Sequence, residues 1–304
     1  MNPSKRIVVV GSAGRLGTSL VQALEVNHTV IPLTRKELDL ASHSSVGGAL
    51  DCLDYDSLII TGALTAVDYC ESNEQEAFVV NADGPGKIAE ISARKGADVT
   101  YISTDFVYDG MKSSPYTEID SASPISVYGA SKLRGEENVL GASSKNLVVR
   151  VSWLFGPGKA AFPEWIINKA CAESDVTLPQ DKIGCPTSCD DLIQALLLLS
   201  CNASGEAASG VFNFCNPEPC TWQEWGQFCI DTAKNAGLPI LGKTIKGVPM
   251  NSVGAFTAKR PLNSAMCVGK FATLSGFRPR RWQEAVRNHL LQSDLFQGYT
   301  STRR

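Results

Sequence analysis

The sequence predicts an α/β protein in which a doubly wound parallel sheet carries a smaller C-terminal lobe. Short apolar runs that end in glycine or small polar residues alternate with helical periodicity over the first half of the chain, a pattern typical of a parallel sheet with helices on both faces. After Gly156-Pro-Gly158 the alternation becomes irregular. We therefore assign residues 1–155 to the sheet domain, with further chain returning from the C-terminal half, and residues 156–292 mainly to the lobe. Residues 293–304 are predicted to be a disordered tail.

The composition excludes several classes of protein. Of the 304 residues 43% are hydrophobic and 19% charged, as in ordinary soluble globular proteins. A net charge of −3 gives no electrostatic basis for binding nucleic acid or an anionic membrane, and no apolar run is long enough to span a bilayer. The ten cysteines are scattered and form no C-x-x-C motif. They are expected to be reduced thiols of a cytoplasmic protein rather than a disulfide framework or a zinc site.

The first strand and the loop after it predict a dinucleotide site. Arg6–Val10 is a valine-rich run typical of a buried parallel strand. The loop Gly11-Ser-Ala-Gly14-Arg-Leu-Gly17 follows and opens a helix over Thr18–Glu25. Glycines in this context permit a tight turn, close approach to a pyrophosphate and close helix packing, and the helix N-terminus supplies N–H groups. The alternative is a glycine turn that serves packing alone.

The second strand ends in residues that bear on the choice of cofactor. Thr29–Thr34 contains Pro32, which cannot donate to a strand ladder and predicts a bulge or an unpaired position. An NAD site would place a carboxylate at the end of this strand, whereas the chain has Arg35. A guanidinium suits a 2′-phosphate, so NADPH is favoured, with NADH as the alternative cofactor. Arg35 as a solvated surface charge is the competing interpretation. Asp39 and Leu40 follow where an adenine ring would be contacted.

The next strand and helix also contribute to the predicted cofactor edge. Ser57–Ala63 is a buried strand with small residues at its carboxyl end, which leave room for a ligand. A long helical segment, Glu74–Lys95, contains Asn81. This asparagine either faces solvent or bridges backbone groups near the active site.

A hydroxyl, a phenol and an ammonium form the candidate catalytic group. The fourth strand, Asp98–Thr104, ends in small hydroxyls, and Tyr128 and Lys132 lie four residues apart further along. Residues i and i+4 share one helix face, and a nearby Lys⁺ is expected to lower the pKa of a phenol from about 10. With Thr104 donating to a carbonyl oxygen, the trio suits proton transfer during hydride reduction. The alternative is a chance Tyr–Lys spacing.

The rest of the chain is predicted as a mixture of helices and short strands. One further sheet strand covers Asn146–Phe155. Helices are predicted over Phe162–Glu173 and Asp190–Cys201, from a capping box at Thr221–Glu224, near Lys270 and over Trp282–Leu291, and strands over Val176–Pro179 and Gly210–Cys215.

Several stretches resemble the extended short-chain dehydrogenase/reductases, and more narrowly the dTDP-4-dehydrorhamnose reductase family, over about residues 5–291. Besides the glycine loop they are Thr65-Ala-Val-Asp68 with Cys70-Glu71, Ser103-Thr-Asp-Phe-Val-Tyr-Asp-Gly110, Tyr128-Gly-Ala-Ser-Lys132-Leu-Arg-Gly-Glu136, Arg150-Val-Ser-Trp153, Gly184-Cys-Pro-Thr187 and Arg260-Pro-Leu-Asn-Ser264.

The resemblance implies a Rossmann-type fold and the NAD(P)H-dependent reduction of dTDP-4-dehydro-L-rhamnose to dTDP-L-rhamnose. It implies that Tyr128 donates a proton to the C4 oxygen, that Lys132 lowers the pKa of Tyr128 and holds the nicotinamide ribose, and that Thr104 bonds the keto oxygen. It places Asp105 and Trp153 against the sugar. The implied cofactor-lining residues are Gly11, Ser12, Ala13, Gly14, Arg15, Leu16, Arg35, Asp39, Leu40, Gly62, Ala63, Leu64, Tyr128 and Lys132.

Two departures from the family pattern and two alternative functions stay open at this stage. Some members bind Mg²⁺ at a dimer interface through a glutamate where this chain has Arg15; no metal is therefore expected, and a homodimer is left open. Members more often show Asn and alanines followed by Tyr where this chain reads Thr61-Gly-Ala-Leu64. The alternatives are a related reductase of another carbonyl substrate and an NADP-binding regulatory subunit similar to the β subunit of methionine adenosyltransferase.

Overall fold

The computed structural model describes residues 4–200 and 207–296. Its strands are β1 (Arg6–Val10), β2 (Thr29–Leu33), β3 (Ser57–Ile60), β4 (Asp98–Thr104), β5 (Leu147–Val151), β6 (Leu154–Phe155), β7 (Val176–Pro179), β8 (Ile183–Gly184), β9 (Thr187–Ser188), β10 (Gly210–Asn213), β11 (Cys220–Thr221) and β12 (Ile245–Val248). Its α-helices are α1 (Arg15–Leu24), α2 (His43–Leu50), α3 (Val67–Ser72), α4 (Glu74–Phe78), α5 (Gly84–Lys95), α6 (Val127–Ala142), α7 (Phe162–Ala172), α8 (Cys189–Ser200), α9 (Trp222–Asn235), α10 (Gly269–Ser275) and α11 (Trp282–Gln292).

The centre of the molecule is a six-stranded parallel sheet in the order β10-β5-β4-β3-β1-β2. The predicted α/β fold is confirmed, and β10 is the chain that returns to the sheet from the C-terminal half. Because β2 and β3 flank β1 on opposite sides, the chain reverses its direction of travel across the sheet at β1. In sheets of this kind the crevice at such a reversal, outside the carboxyl ends of the strands, is where ligands bind.

Both faces of the sheet are buried, which explains why its strands are continuous apolar runs. Alternate side chains point to opposite faces. Val9 packs in one cluster with Leu20 of α1 and Leu196 of α8. Its neighbour Val8 packs in another with Ile88 of α5 and residues of α2 and α6. No helix of the described ranges is long and apolar enough to cross a membrane.

Pro32 lies in β2, the strand at one edge of the sheet. It is opposite Val9 in an unbroken parallel register, so no bulge is needed. Proline is tolerated at an edge because the missing N–H faces away from the ladder.

The predicted long helix over residues 74–95 is wrong in detail, because a π-helical turn, Val79–Asp83, separates α4 from α5. Such turns are frequent near functional sites. This one carries Asn81, which is fully buried, and the Asn81 carbonyl accepts a 2.6 Å hydrogen bond from the Tyr101 hydroxyl. The asparagine therefore does not face solvent.

The C-terminal lobe has its own core, built on α7, α9 and α11. Trp225 of α9 stacks on Phe162 with ring centroids 4.2 Å apart. The predicted capping box is present, since the Glu224 N–H donates to Thr221 Oγ1 at 3.0 Å and the Thr221 N–H donates back to the Glu224 carboxylate at 2.7 Å. Phe296 is buried in this core, so the predicted disorder from residue 293 is wrong for residues 293–296. Residues 297–304 lie outside the described residues.

A buried ion pair connects α6 to the sheet. Arg150 Nη2 lies 2.6 Å from Glu136 Oε2, and both side chains are less than a tenth exposed. The Ser103 hydroxyl also donates to Glu136, at 2.5 Å. Removing one partner of a buried pair leaves an uncompensated charge in a dry environment.

We expect Arg150→Met to lower the free energy of unfolding by about 3–5 kcal/mol, measured by urea denaturation. The control is Arg134→Met on α6, the helix that carries Glu136; it breaks an exposed pair with Glu137 at 3.1 Å and should cost about 0–1 kcal/mol. Equal losses in the two variants would show that burial of the Glu136 pair has no energetic consequence.

Candidate active site

The glycine loop packs directly against the end of β3 at the sheet crevice. Gly11 has φ +84°, and a Cβ there would lie 2.4 Å from the Gly62 nitrogen, so only glycine fits. A Cβ at Gly17 would lie 2.3 Å from the Gly11 oxygen. By contrast, outside its chain neighbours a Cβ at Gly14 would have one atom of the described residues within 4 Å, that same oxygen, at 3.1 Å. The side of the loop at Gly14 is thus open toward the N-terminus of α1, and helix N-termini are the kind of position at which phosphate groups bind.

The other predicted residues of the loop divide into three environments. The Ser12 N–H donates to the Leu33 carbonyl at 3.2 Å, and the Leu16 side chain is buried in the sheet core, so Leu16 offers only its backbone to a ligand. Ala13 is exposed. The Arg15 guanidinium donates to the carbonyls of Gly156 at 2.9 Å, Ala160 at 3.0 Å and Lys159, which ties the loop to the segment that precedes α7.

The end of β2 presents a cation, as predicted, and a carboxylate that the sequence did not reveal. Arg35 is 79% exposed, with its Nε 3.6 Å from Asp39 Oδ1. Leu40 is buried. The missed residue is Glu37, whose carboxylate accepts from the Thr34 N–H at 2.9 Å and from the Thr34 hydroxyl. These bonds hold the pKa of Glu37 below its usual value. The sequence feature that could have revealed this interaction is a glutamate three residues after Thr34, which is the spacing of a local turn.

Asn81 connects the loop after β3 to α6. Gly62, Ala63 and Leu64 are half-buried. The Asn81 amide pairs with both backbone groups of Leu64, accepting from its N–H at 2.8 Å and donating to its carbonyl at 3.0 Å. It also donates to Ser131 Oγ at 3.1 Å. Of the two roles considered for Asn81, the structure therefore shows the bridging one.

Close packing brings Tyr128 to the end of β4. A Cβ at Gly129 would lie 2.2 Å from the Phe106 carbonyl oxygen, so the first turn of α6 touches the turn after β4. The Tyr128 ring meets the Phe106 ring edge-on at 5.4 Å, and Thr104 lies near enough to the Tyr128 hydroxyl to lower its pKa. The structure thus brings Tyr128 and Thr104 together.

The pKa of Tyr128 is raised above its ordinary value by burial, and the Thr104 hydroxyl offsets this only in part. The expected lowering by Lys132 is not found. The Lys132 ammonium donates to the Ile102 carbonyl at 2.7 Å and lies 3.8 Å from the centroid of the Tyr101 ring. Burial lowers the pKa of Lys132 to about 7, against an opposing effect of Glu136.

Thr104 and Asp105 lie together at the carboxyl end of β4. The Thr104 hydroxyl donates to Asp105 Oδ1 at 3.1 Å and accepts from the Phe106 N–H at 3.2 Å. Asp105 is 2% exposed, and burial raises its pKa. Its Oδ2 has no hydrogen-bond partner within the described residues.

Trp153 interrupts the strand predicted over residues 146–155, which forms as β5 and β6 instead. Its φ is +45°, a strained value for a bulky residue of the kind that clusters at functional sites. Its ring stacks on Trp225 at 5.4 Å and lies over Gly184, where a Cβ would be 2.5 Å from a ring atom. Trp153 Nε1 is buried and has no partner in the described part of the chain.

Two charged features near the site carried no sequence prediction of their own. Lys182 is fully buried, although a lysine in the polar stretch Gln180-Asp-Lys182 is normally exposed. Arg260 forms a two-bond ion pair with Asp68, at 3.0 and 2.6 Å, which holds the pKa of Asp68 well below its usual range. Lys182 lies just before the stretch Gly184-Cys-Pro-Thr187, and Arg260 begins the stretch Arg260-Pro-Leu-Asn-Ser264; both stretches carry the family resemblance. Hydrogen bonds from Lys182 to Pro261 and Ser264 join them.

Comparison with known proteins identifies the family. The family model described as RmlD substrate binding domain matches residues 5–294. A dTDP-4-dehydrorhamnose reductase of Sinorhizobium fredii (strain NBRC 101917 / NGR234) is 32% identical over 286 residues, which are 93% of this chain and 95% of that protein.

Two solved structures share the whole fold. A dTDP-4-dehydrorhamnose reductase from Clostridium acetobutylicum ATCC 824 has a TM-score of 0.87 at 28% identity and covers 96% of this chain and 99% of its own. Another, from Bacillus anthracis str. Ames in complex with NADP, has a TM-score of 0.86 at 28% identity, over 95% of this chain and 100% of its own. Since the family model and these relatives extend over nearly the entire sequence, the chain belongs to the dTDP-4-dehydrorhamnose reductase family.

Proposed function

We propose that the protein reduces the C4 carbonyl of a sugar nucleotide with NADPH and converts dTDP-4-dehydro-L-rhamnose to dTDP-L-rhamnose. The observation that carries this proposal is that Tyr128 is buried beside Thr104, whose hydroxyl donates to Asp105, on the same sheet edge as the open glycine loop. Family membership supports the substrate, because relatives matched over the whole chain bear that enzyme's name.

The proposed chemistry is reduction of a ketone with a proton donor at its oxygen. NADPH, when bound, supplies the hydride. The glycine loop, the loop after β3 and Arg35 are the residues that would hold it. Burial raises the pKa of Tyr128, so the phenol is protonated at neutral pH and ready to give its proton to the far more basic alkoxide. The Thr104 hydroxyl now donates to Asp105 and would turn toward the keto oxygen.

The proposed division of labour follows the two parts of the fold. Lys132, buried beside Tyr101, would serve the nicotinamide ribose. Asp105 and Trp153 would contact the sugar, with the lobe formed mainly by residues 156–292 covering it. We also propose a cytoplasmic location, because the cysteines of the described ranges are all free thiols, as suits a reducing compartment.

Cofactor choice is expected to rest on Arg35. Its exposed guanidinium makes a long contact with Asp39, at 3.6 Å, which leaves it able to pair with a 2′-phosphate. Arg35→Ala should raise KM for NADPH far more than KM for NADH. Arg134→Ala, which removes another exposed arginine, from α6, is the control and should change neither KM. Equal changes for both cofactors in Arg35→Ala would remove the basis for an NADPH preference.

The activity test is NADPH consumption with enzymatically made dTDP-4-dehydro-L-rhamnose, followed by identification of the sugar product. We expect stoichiometric oxidation and dTDP-L-rhamnose. Oxidation with another carbonyl substrate alone would favour the related-reductase alternative. No turnover together with copurification of a methionine adenosyltransferase would favour the regulatory subunit.

A further inference from the structure

A loop of the C-terminal lobe, residues 253–260, is fastened to the sheet half of the protein by one carboxylate. We call this segment the clasp loop. Asp68 Oδ1 accepts hydrogen bonds from the N–H groups of Thr257 and Ala258, both at 2.9 Å. Two consecutive backbone donors of the clasp loop thus depend on a side chain that lies 189 and 190 residues away in the sequence.

The same carboxylate pairs with Arg260 at the end of the clasp loop. Arg260 Nη1 donates to Asp68 Oδ1 at 3.0 Å, and Nη2 donates to Asp68 Oδ2 at 2.6 Å, which is the two-bond geometry that suits a guanidinium and a carboxylate. The Arg260 side chain is 8% exposed, whereas that of Asp68 is 36% exposed. The pair is therefore shielded on the arginine side and reachable by water on the aspartate side.

Asp68 stands on the wall of the site that holds Tyr128. It belongs to α3, whose Val67 packs in one hydrophobic cluster with Tyr128. Glu71 of the same helix accepts a hydrogen bond from the Val127 N–H, at the start of α6, at 3.1 Å. The helix that anchors the clasp loop is thus fixed to the element that carries the proposed proton donor.

The other side of the clasp loop reaches the aromatic side chains of the lobe. The guanidinium carbon of Arg260 lies 4.0 Å from the centroid of the Phe256 ring. Phe256 meets Trp222 of α9 edge-on, with ring centroids 6.0 Å apart, and the Trp222 and Trp153 centroids are also 6.0 Å apart. The clasp loop therefore connects the wall of the site that holds Tyr128 to the wall that holds Trp153.

The clasp loop itself has little buried surface. Gly254, Ala255, Thr257 and Lys259 are exposed, and Ala258 is buried. Segments with few buried contacts open at a low cost in free energy. Loops that open and close over a bound ligand commonly control its exchange. The closed position of such a loop depends on the polar contacts that fasten it, which here converge on Asp68.

We propose that Asp68 and Arg260 are positioning residues that hold the clasp loop closed across the site, and that the sugar nucleotide leaves when this ion pair opens. This role rests on the proposed function and adds to it a gate on the exchange of substrate and product. Neither residue needs to touch the ligand. NADPH, which is proposed to bind at the glycine loop, is not held by this gate.

A purely structural role for the pair would have a different signature. In that case, breaking it would loosen the whole lobe and weaken every ligand, NADPH included. A gate raises the dissociation rate of the sugar nucleotide and its KM, while kcat does not fall and the Kd of NADPH stays unchanged.

The first test is hydrogen exchange in the free protein, which needs no ligand. Asp68→Ala removes the acceptor of both loop N–H groups together with the partner of Arg260. We expect the amides of Thr257 and Ala258 to exchange at least about 10-fold faster than in wild type, since a hydrogen bond to a charged group is worth about that factor. Exchange in α9 should stay unchanged. The control is Glu74→Ala, which removes an exposed carboxylate from the first turn of α4 and should leave both regions as in wild type.

The second test is the dissociation rate of dTDP-L-rhamnose from its complex with the protein and NADP⁺, followed by stopped-flow tryptophan fluorescence. Asp68→Ala should raise this rate at least about 10-fold, by the same loss of hydrogen bonds to a charged group. Arg260→Met, which leaves the acceptor of the loop N–H groups in place, should raise it in the same direction. Arg281→Met is its control, because it breaks an exposed pair with Glu218 in the same lobe and should leave the rate unchanged.

The double variant tests whether the two residues act as one unit. Adding Arg260→Met to Asp68→Ala should raise the dissociation rate little further, because the effects of residues in direct contact are not additive. Independent effects that multiply in the double variant would contradict a single clasp.

The outcomes separate the gate from the proposed function. If wild type binds dTDP-L-rhamnose and Asp68→Ala keeps its dissociation rate, the gate is overturned and the proposed function stands. The same holds if exchange rises equally in the clasp loop and in α9, or if the Kd of NADPH rises with that of the sugar nucleotide. If wild type binds no dTDP-sugar at all, the proposed function fails and the gate falls with it.

Discussion

Tyr128→Phe is expected to lower kcat by at least about 10²-fold on the substrate that wild type reduces, because a positioned acid contributes about 10²–10⁴-fold. The change removes only the hydroxyl, while the ring keeps its edge-on contact with Phe106. The Kd of NADPH and the thermal midpoint should therefore change little. Steady-state kinetics and a fluorescence titration with NADPH measure the two effects separately.

Two neighbouring variants complete this test. Thr104→Val should cost about 10²–10³-fold at most, the scale of one lost hydrogen bond to developing charge. Lys132→Met should raise the Kd of NADPH as well as lower kcat, since Lys132 is proposed to serve the ribose. Near-normal kcat in Tyr128→Phe would mean that the proton comes from another donor.

Gly14→Val is expected to abolish dinucleotide binding without unfolding the chain. Gly14 has φ −77° and ψ 167°, an extended conformation that valine adopts readily. The added Cβ would lie 3.1 Å from the Gly11 carbonyl oxygen, its one near neighbour among the described residues apart from those adjacent in the chain. The branched side chain would instead fill the space beside the N-terminus of α1, where the pyrophosphate is proposed to bind. Cofactor titration together with circular dichroism measures both expectations.

The control for Gly14→Val is Gly48→Val in α2. Apart from the neighbouring residues and the backbone of α2 itself, the part of the chain that the structure describes has no atom within 4 Å of the added Cβ. It should bind cofactor as wild type does. Normal cofactor affinity in Gly14→Val would show that the glycine loop serves packing alone.

The sheet was predictable because its strands are buried on both faces. The bounds of β1 and β4 agree with the sequence prediction, since short apolar runs that end in glycine or polar residues are local signals. Strand β12 was missed because it contains Gly247 and is defined by its pairing with the distant β7. The π-helical turn at Asn81 was invisible for a similar reason: its carbonyl and amide are bound by residues from β4, α6 and the loop after β3.

The site was predictable where its residues follow a spacing, and not where burial decides their chemistry. Tyr128 and Lys132 share a helix face, but the direction of the pKa shift of Tyr128 depends on its enclosure and on where the Lys132 ammonium points. The burial of Lys182 was missed because its ammonium is bound by Pro261 and Ser264, which are far away in sequence. Contacts of this kind, between residues far apart in sequence, form only in the folded structure, where the ends of the strands come together.

The return of β10 to the sheet has a consequence for dividing this protein into parts. A fragment ending at residue 155 would lack the strand that covers β5. All five residues of β5 are buried, so the fragment would present a hydrophobic strand edge open to intermolecular pairing and aggregation. A chimaera that exchanges lobes between relatives must therefore keep Gly210–Asn213 with the half that contains the sheet. It must also keep α8, because the leucines of α8 pack against residues of β5 in one hydrophobic cluster. The unit of exchange is discontinuous in the gene although it is compact in space.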